Sequence, residues 1–147
     1  MSKRYENCLK MNRDEIEKLV ASRPTVYVAS VDAEGCPNVK AMLAPRVREG
    51  LRTFYLTTNT SSMRVGQFRC NPRAALYFCD EKRFVGVQLR GTMEVLEDAA
   101  SRRLVWREGD TEYYPQGVDD PDYCVLRFTA AEGRVYSEYR SENFKTE

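Results

Sequence analysis

The sequence predicts a mainly β domain, an antiparallel barrel of six or seven strands carrying short helices. Runs rich in β-branched and aromatic residues recur from Thr25 to Tyr139, the composition strands favour. The first of them are joined by turns short enough for antiparallel neighbours. Strands and helices do not alternate one for one, which argues against a doubly wound parallel sheet. The whole chain, residues 1–147, reads as one domain without repeats or low-complexity segments.

Taken in order, the first element is a helix over Arg13–Ser22, with Asn12 as N-cap and Glu15 completing a capping box. Ile16, Leu19 and Val20 share its apolar face, which is expected to dock on the core. Strands follow at Thr25–Val31, Pro37–Ala44 and Leu51–Thr58, separated by the turn signals Asp32-Ala33-Glu34-Gly35 and Arg48-Glu49-Gly50. These three read as a meander. The polar cluster Asn59-Thr60-Ser61-Ser62 opens a short helix from Met63 to Arg69, closed near Pro72. Arg73–Cys79 is another strand, and Phe84–Leu96 a long one interrupted at Gly91, where a bulge or corner is expected. Asp98–Arg107 returns to helix, with Gly109 as its stop. Asp110–Pro121 is a polar loop. Tyr123–Thr129 and Arg134–Tyr139 are the last strands, joined at Ala131-Glu132-Gly133.

Composition narrows the chemistry. Net charge is +1 from 23 basic and 22 acidic side chains, whereas nucleic-acid binders normally carry a clear basic excess. No apolar run reaches the roughly 18 residues of a membrane span. The N-terminal MSKRYENCLK lacks a secretory h-region, so a cytoplasmic protein is expected. The five cysteines, Cys8, Cys36, Cys70, Cys79 and Cys124, form no C-x-x-C pair, so reduced thiols are expected rather than disulfides or a zinc site. Asp119 and Asp120 show no metal-ligand spacing, and no metal is expected. Above all, there is no histidine. Ser-His-Asp and Cys-His catalysis, H-E-x-x-H zinc sites and histidine-ligated haem are thereby excluded. A cofactor bringing its own chemistry suits such a chain.

One junction carries the strongest functional signal. Tyr55-Leu56-Thr57-Thr58 runs into Asn59-Thr60-Ser61-Ser62-Met63-Arg64 at a helix start. Backbone N–H groups and the helix dipole attract anions there, and Arg64 adds a forked cation. The alternative is that Ser61 or Ser62 caps the helix and Arg64 is solvated. A second cation, Lys40, shares a strand face with Met42, while Val39, Ala41 and Leu43 share the other; it either snorkels to solvent or meets an anion. The predicted meander sets the Lys40 strand beside Thr57 and Thr58, so the two features converge. Trp106, Tyr113 and Tyr114 either line a planar ligand or pack in the core.

The ordered set of a helix, V-Y-V-A-S-V-D-A-E-G-C-P-N-V-K-A-M, F-Y-L-T-T-N-T-S-S-M-R, N-P-R-A-A-L-Y-F and V-Q-L-R-G-T-M-E-V resembles the pyridoxamine 5′-phosphate oxidase-like, FMN-binding split-barrel superfamily. It is closer to the small general-stress-protein branch than to the oxidase. The resemblance spans about Asn12 to Tyr139. It implies a Greek-key-like split barrel acting as a homodimer, with FMN in the cleft between subunits. By position, Lys40 matches the basic residue near the phosphate, and Ala41, Met42 and Leu43 its neighbours along the flavin. Thr57 and Thr58 both match the strand-end threonine. Ser62 and Arg64 match the Ser-x-Lys/Arg pair on phosphate, and Gln88 is a candidate from the strand reaching over from the partner, the family's contact itself falling on Gly86. The oxidase's C-terminal substrate-binding Trp and Arg have no counterpart, so an FMN-dependent oxidoreductase with another small-molecule substrate is expected. A non-catalytic flavin carrier or redox sensor is the alternative, and a deazaflavin is a further option for the cofactor.

Overall fold

Asn12 opens the first helix as its spacing predicts. Its side chain accepts from Glu15 N–H at 2.9 Å, and the Glu15 carboxylate accepts from Asn12 N–H at 2.8 Å. The computed structural model describes residues 11–147; Cys8 and the rest of the N-terminal decapeptide lie outside the described residues. Helix α1 (Arg13–Ser22) buries Ile16, Leu19 and Val20. Strand β1 (Thr25–Val31) follows, alternating strictly so that Val26, Val28 and Ser30 point inward. The Asp32 carboxylate closes the next turn, accepting from Glu34 N–H at 3.0 Å and Cys36 N–H at 2.9 Å. Those bonds hold its pKa below the ordinary aspartate value. Then come β2 (Pro37–Leu43), β3 (Val47–Glu49), β4 (Thr53–Asn59), α2 (Met63–Cys70), β5 (Arg73–Asp80), β6 (Val85–Leu96), α3 (Ala99–Val105), β7 (Tyr123–Ser137) and β8 (Arg140–Phe144).

The strands form one antiparallel sheet in the order β2-β1-β5-β6-β7-β4-β3, with β8 also on β7. It curls on itself. Phe54 of β4 touches Phe78 of β5, centroids 5.8 Å apart, although two strands separate them in the sheet. Phe128 joins them at 6.2 Å from Phe54. The result is the predicted mainly β, split-barrel-like fold, left open between its edge strands β2 and β3.

Three details differ from the sequence reading. The sheet has eight strands, because β3 precedes the Gly50 turn and β8 follows the last predicted strand. The final two predicted strands are one, β7, and the expected interruption at Ala131-Glu132-Gly133 is a bulge. Arg90 pairs with Glu132 and Gly91 with Ala130, leaving Ala131 extra. The expected corner at Gly91 is the same feature: a Cβ there would meet the Thr129 carbonyl oxygen at 1.9 Å. Lastly, β1, β2 and β4 are not a meander. Ala44 N–H bonds Pro24 and Arg46 N–H bonds Tyr55, so the Ala44-Pro45-Arg46 connection carries the chain from one sheet edge to the other.

A two-residue turn joins β7 to β8, and both its residues have positive φ, Glu138 at 48° and Tyr139 at 66°. Asn-Gly is the sequence such turns favour, and a non-glycine residue there costs about 1–2 kcal/mol. Tyr139 is 90% exposed and packs on little. The Tyr139→Gly variant is therefore expected to be more stable by about 1 kcal/mol, read as a raised thermal unfolding midpoint.

Candidate functional site

The open seam makes the site. Strand β2 contributes Lys40, Ala41, Met42 and Leu43 from one edge; the end of β4 contributes Thr57, Thr58 and Asn59 from the other side. Arg64 of α2, Arg46, and Tyr113 and Tyr114 from the α3–β7 loop complete a cleft of about 170 Å³. The predicted convergence of Lys40 with Thr57 and Thr58 is thus met without strand pairing, across the gap that curling leaves.

The anion end is built around Arg64. Its Nη2 donates to Thr58 Oγ1 at 3.0 Å, and Thr58 is itself buried. The Arg64 Nε is buried with no partner. Burial pulls the guanidinium pKa down, and among the described residues no carboxylate pairs with it. Ser62 occupies the N-cap of α2, yet its hydroxyl makes no capping bond and is also buried and unpartnered. Buried polar groups normally find partners, so a cation and a hydroxyl left bare at a helix start fit an anionic ligand. Ser62 therefore makes no capping bond, and Arg64 is half-buried rather than fully solvated. The loop before them is fixed from behind: Asp122 accepts from Ser61 N–H and Asn59 Nδ2, each at 2.8 Å, which holds its own pKa low. Thr60 N–H bonds the Asp122 carbonyl at 2.8 Å. Lys40 is exposed opposite Val28 and, among the described residues, has no carboxylate partner.

Thr57 and Thr58 divide their roles by strand alternation. Thr58 meets Arg64, whereas Thr57 meets the Tyr114 hydroxyl. Burial raises the Tyr114 pKa. Tyr114 packs on Tyr123 at 4.8 Å and on Trp106 at 6.2 Å. Of the two alternatives its sequence leaves open, Trp106 therefore takes the packing one, in this satellite core. Burial pushes the Tyr123 phenol up to about 12, and its hydroxyl donates to the Arg102 carbonyl at 2.8 Å. Cys124 lies buried beneath the anion loop with its thiol pKa raised by burial, which makes it a poor nucleophile.

Two groups escaped the sequence reading. Arg46 lines the cleft and grips Asp110 bidentately, Nη2 to Oδ1 at 2.7 Å with Nη1 against Oδ2. Asp110 also accepts from Arg107 N–H at 2.8 Å. The pair is 64 residues apart in sequence and no local pattern announces it. Asn59 is the other, legible only as part of a polar run. Gln88, in contrast, does not reach this cleft within one chain. It lies on the outer face of β6 in a separate hollow with Arg90, Glu132, Arg134 and Asn143.

The Arg46–Asp110 pair ties the tyrosine loop to the seam. Removing one partner of a buried pair costs about 3–5 kcal/mol, so Asp110→Ala is expected to lose about 3 kcal/mol in denaturant unfolding. Arg46 holds the folded Asp110 pKa below its 3.8 reference. The stabilisation is whole above the unfolded value and disappears as pH falls through the depressed folded one. The gap between wild type and variant should accordingly be flat at neutral pH and close only in strong acid.

Comparison with known proteins agrees with this architecture. The family described as pyridoxamine 5′-phosphate oxidase matches residues 13–137. A Clostridium acetobutylicum protein related to general stress protein 26 of B. subtilis (pyridoxinephosphate oxidase family) is 40% identical, with 92% of this chain and 96% of that one covered and a TM-score of 0.83. General stress protein 26 from Bacillus anthracis shares the fold at 14% identity, TM-score 0.73, covering 90% and 97% of the two chains. A heme binding protein from Mycobacterium smegmatis shares it at 18% identity, TM-score 0.70, over 94% of this chain and 60% of that one. Among curated proteins none matches. With a seam-edge cleft on this fold, a family match across nearly all of the described chain and a relative at 40% identity, the protein belongs to the pyridoxamine 5′-phosphate oxidase family.

Proposed function

We propose that the cleft binds FMN by its phosphate and that the protein is a flavin-dependent oxidoreductase of the cytosol. The observation that carries this reading is the bare, buried pair of Ser62 Oγ and Arg64 Nε. Lys40 supplies a second cation to a phosphate held there, and Met42, Leu43 and the tyrosine loop supply apolar walls for a ring. FMN, once bound, accepts hydride or electrons on its own ring; the chain's residues bind, orient and desolvate. Haem is not proposed, since the chain has no histidine to ligate it.

The same cleft supports a homodimer. Its volume of about 170 Å³ is below the roughly 300–1,000 Å³ of small-molecule pockets, which supports a site whose remaining wall comes from a second copy. The outer face of β2 leaves Val39 at 69% and Leu43 at 62% exposed, beside Tyr77 of β5, a surface suited to an apolar contact between copies. In this proposal Gln88 of the partner subunit is the residue that faces the cleft. The species in solution is expected at twice the 17.0 kDa chain mass by light scattering, and a Val39→Glu, Leu43→Glu variant is expected to run as monomer.

One observation favours a carrier or redox sensor instead: among the described residues no carboxylate lines the cleft, so it offers no carboxylate acid or base. A titration separates the readings. Purified protein should take up about one FMN per chain, and Arg64→Ala should bind at least tenfold more weakly, the worth of a charged hydrogen bond. Reduction by NADH or NADPH followed by turnover of a quinone or nitro compound supports the enzyme, and reduction without turnover the carrier. Protein that takes up no flavin defeats both.

A further inference from the structure

Tyr113 stands apart from the aromatic cluster it belongs to. Trp106, Tyr114 and Tyr123 pack together, and Tyr114 and Tyr123 are almost wholly buried. Tyr113 touches Tyr114 with centroids 6.5 Å apart, yet is 56% exposed. It lines the cleft together with Leu43 of β2, itself 62% exposed. Two large apolar side chains thus approach one cleft from different walls, beyond an anion end formed by Arg64 and Ser62. An anionic ligand without an apolar body leaves them wet.

The backbone that carries the ring is also held in place. Tyr113 N–H and Tyr114 N–H both donate to the Asp110 carbonyl at 2.9 Å, and Asp110 is anchored by Arg46. Gly109 enters this turn at φ 94°, a conformation that glycine alone adopts readily. Gly117 N–H closes the far side on the Tyr114 carbonyl at 2.9 Å. The exposed ring therefore sits on a fixed turn, and a ligand stacking on it loses little further conformational freedom in the protein.

We infer that Tyr113 is the ring-selecting residue of the cleft, stacking on the flat conjugated part of a ligand whose phosphate lies at Arg64. The inference rests on the FMN reading and adds the residue that distinguishes a flavin from any other phosphate monoester. Lys40, Ser62 and Arg64 recognise the phosphate alike in both; Tyr113 recognises the ring.

The test titrates wild type, Tyr113→Ala and Tyr113→Phe with FMN, following flavin fluorescence, with inorganic phosphate as competitor. Wild type is expected to quench bound FMN, because an electron-rich phenol stacked on the excited ring transfers an electron to it. Tyr113→Ala should bind FMN roughly tenfold more weakly, within the range for loss of one stacked aromatic, and leave bound FMN brighter. Tyr113→Phe should keep the wild-type affinity. The inhibition constant of inorganic phosphate should be the same for all three, since the anion end is untouched. Wild-type affinity and quenching in Tyr113→Ala overturn the inference while leaving the FMN reading intact. So does an equal weakening of phosphate and FMN, which makes the residue a general wall. No FMN uptake by wild type removes the FMN reading itself, and is distinguished because it precedes any variant.

Discussion

A half-buried guanidinium that has no carboxylate beside it among the described residues is the constraint around which the seam is organised. Arg64 has one side-chain acceptor, Thr58 Oγ1, and a bare Nε. Burial of an uncompensated charge is costly, and its depressed pKa records that cost. Arg46, by contrast, is given Asp110, while Arg102 bonds the Asp120 carbonyl and lies over Tyr123 although its own Nε is bare as well. Arg64 differs from both in standing at a helix start beside the equally unsatisfied Ser62 hydroxyl. Local unsatisfied groups of this kind cluster where a ligand supplies the missing partner.

The sheet order explains why that charge lies in a cleft rather than on a surface. Strands β2 and β3 are the two ends of the path, and the Ala44-Pro45-Arg46 connection joins them at short range. Curling brings the ends close but leaves them unpaired, so the backbone gap becomes a groove with β2 as one wall. Arg46, on the connection itself, reaches down to Asp110 and fixes the loop that forms another wall. A closed barrel would have spent this edge on hydrogen bonds. An open one keeps Lys40, Ala41, Met42 and Leu43 available to a ligand or to a second copy.

Much of this was legible in the sequence, and the losses have physical causes. The capping box at Asn12 and Glu15, the bulge at Gly91 and the Ser62–Arg64 junction all depend on residues within a few positions of one another, so local chemistry announces them. Seven of the nine candidate residues line one cleft, and Ser62 sits at its helix start. What sequence could not supply was long-range order. The short turns between the first strands suggested a meander, but the chain is redirected at Pro45, so β2 stays an edge and β4 pairs with β3 and β7 instead. Arg46 and Asp110 likewise carry no mark of their partnership until the fold joins them. Gln88 is the instructive case: a resemblance placed it by position, and within one chain it faces another hollow. A place for it at the cleft would require a second copy, a matter of assembly and not of local pattern.

Gly86 shows how such a departure from a family's pattern is absorbed. The residue lies on β6 where a side chain would face outward, and a Cβ there would meet the Tyr77 hydroxyl at 2.0 Å. Tyr77 of the neighbouring strand therefore covers the backbone that glycine leaves bare. Gly133 repeats the device, with Phe144 lying across it at 2.3 Å from a would-be Cβ. In each case the glycine removes a side chain from one strand so that an aromatic from the next can occupy its space. The outer face thus keeps apolar bulk while its donor changes from β6 to β5. Partial burial and the neighbouring Cys79 raise the Tyr77 pKa, so the phenol stays protonated and can donate a hydrogen bond on that face. The space that a side chain at position 86 would fill is taken by Tyr77 from one strand away, with its hydroxyl lying over the glycine.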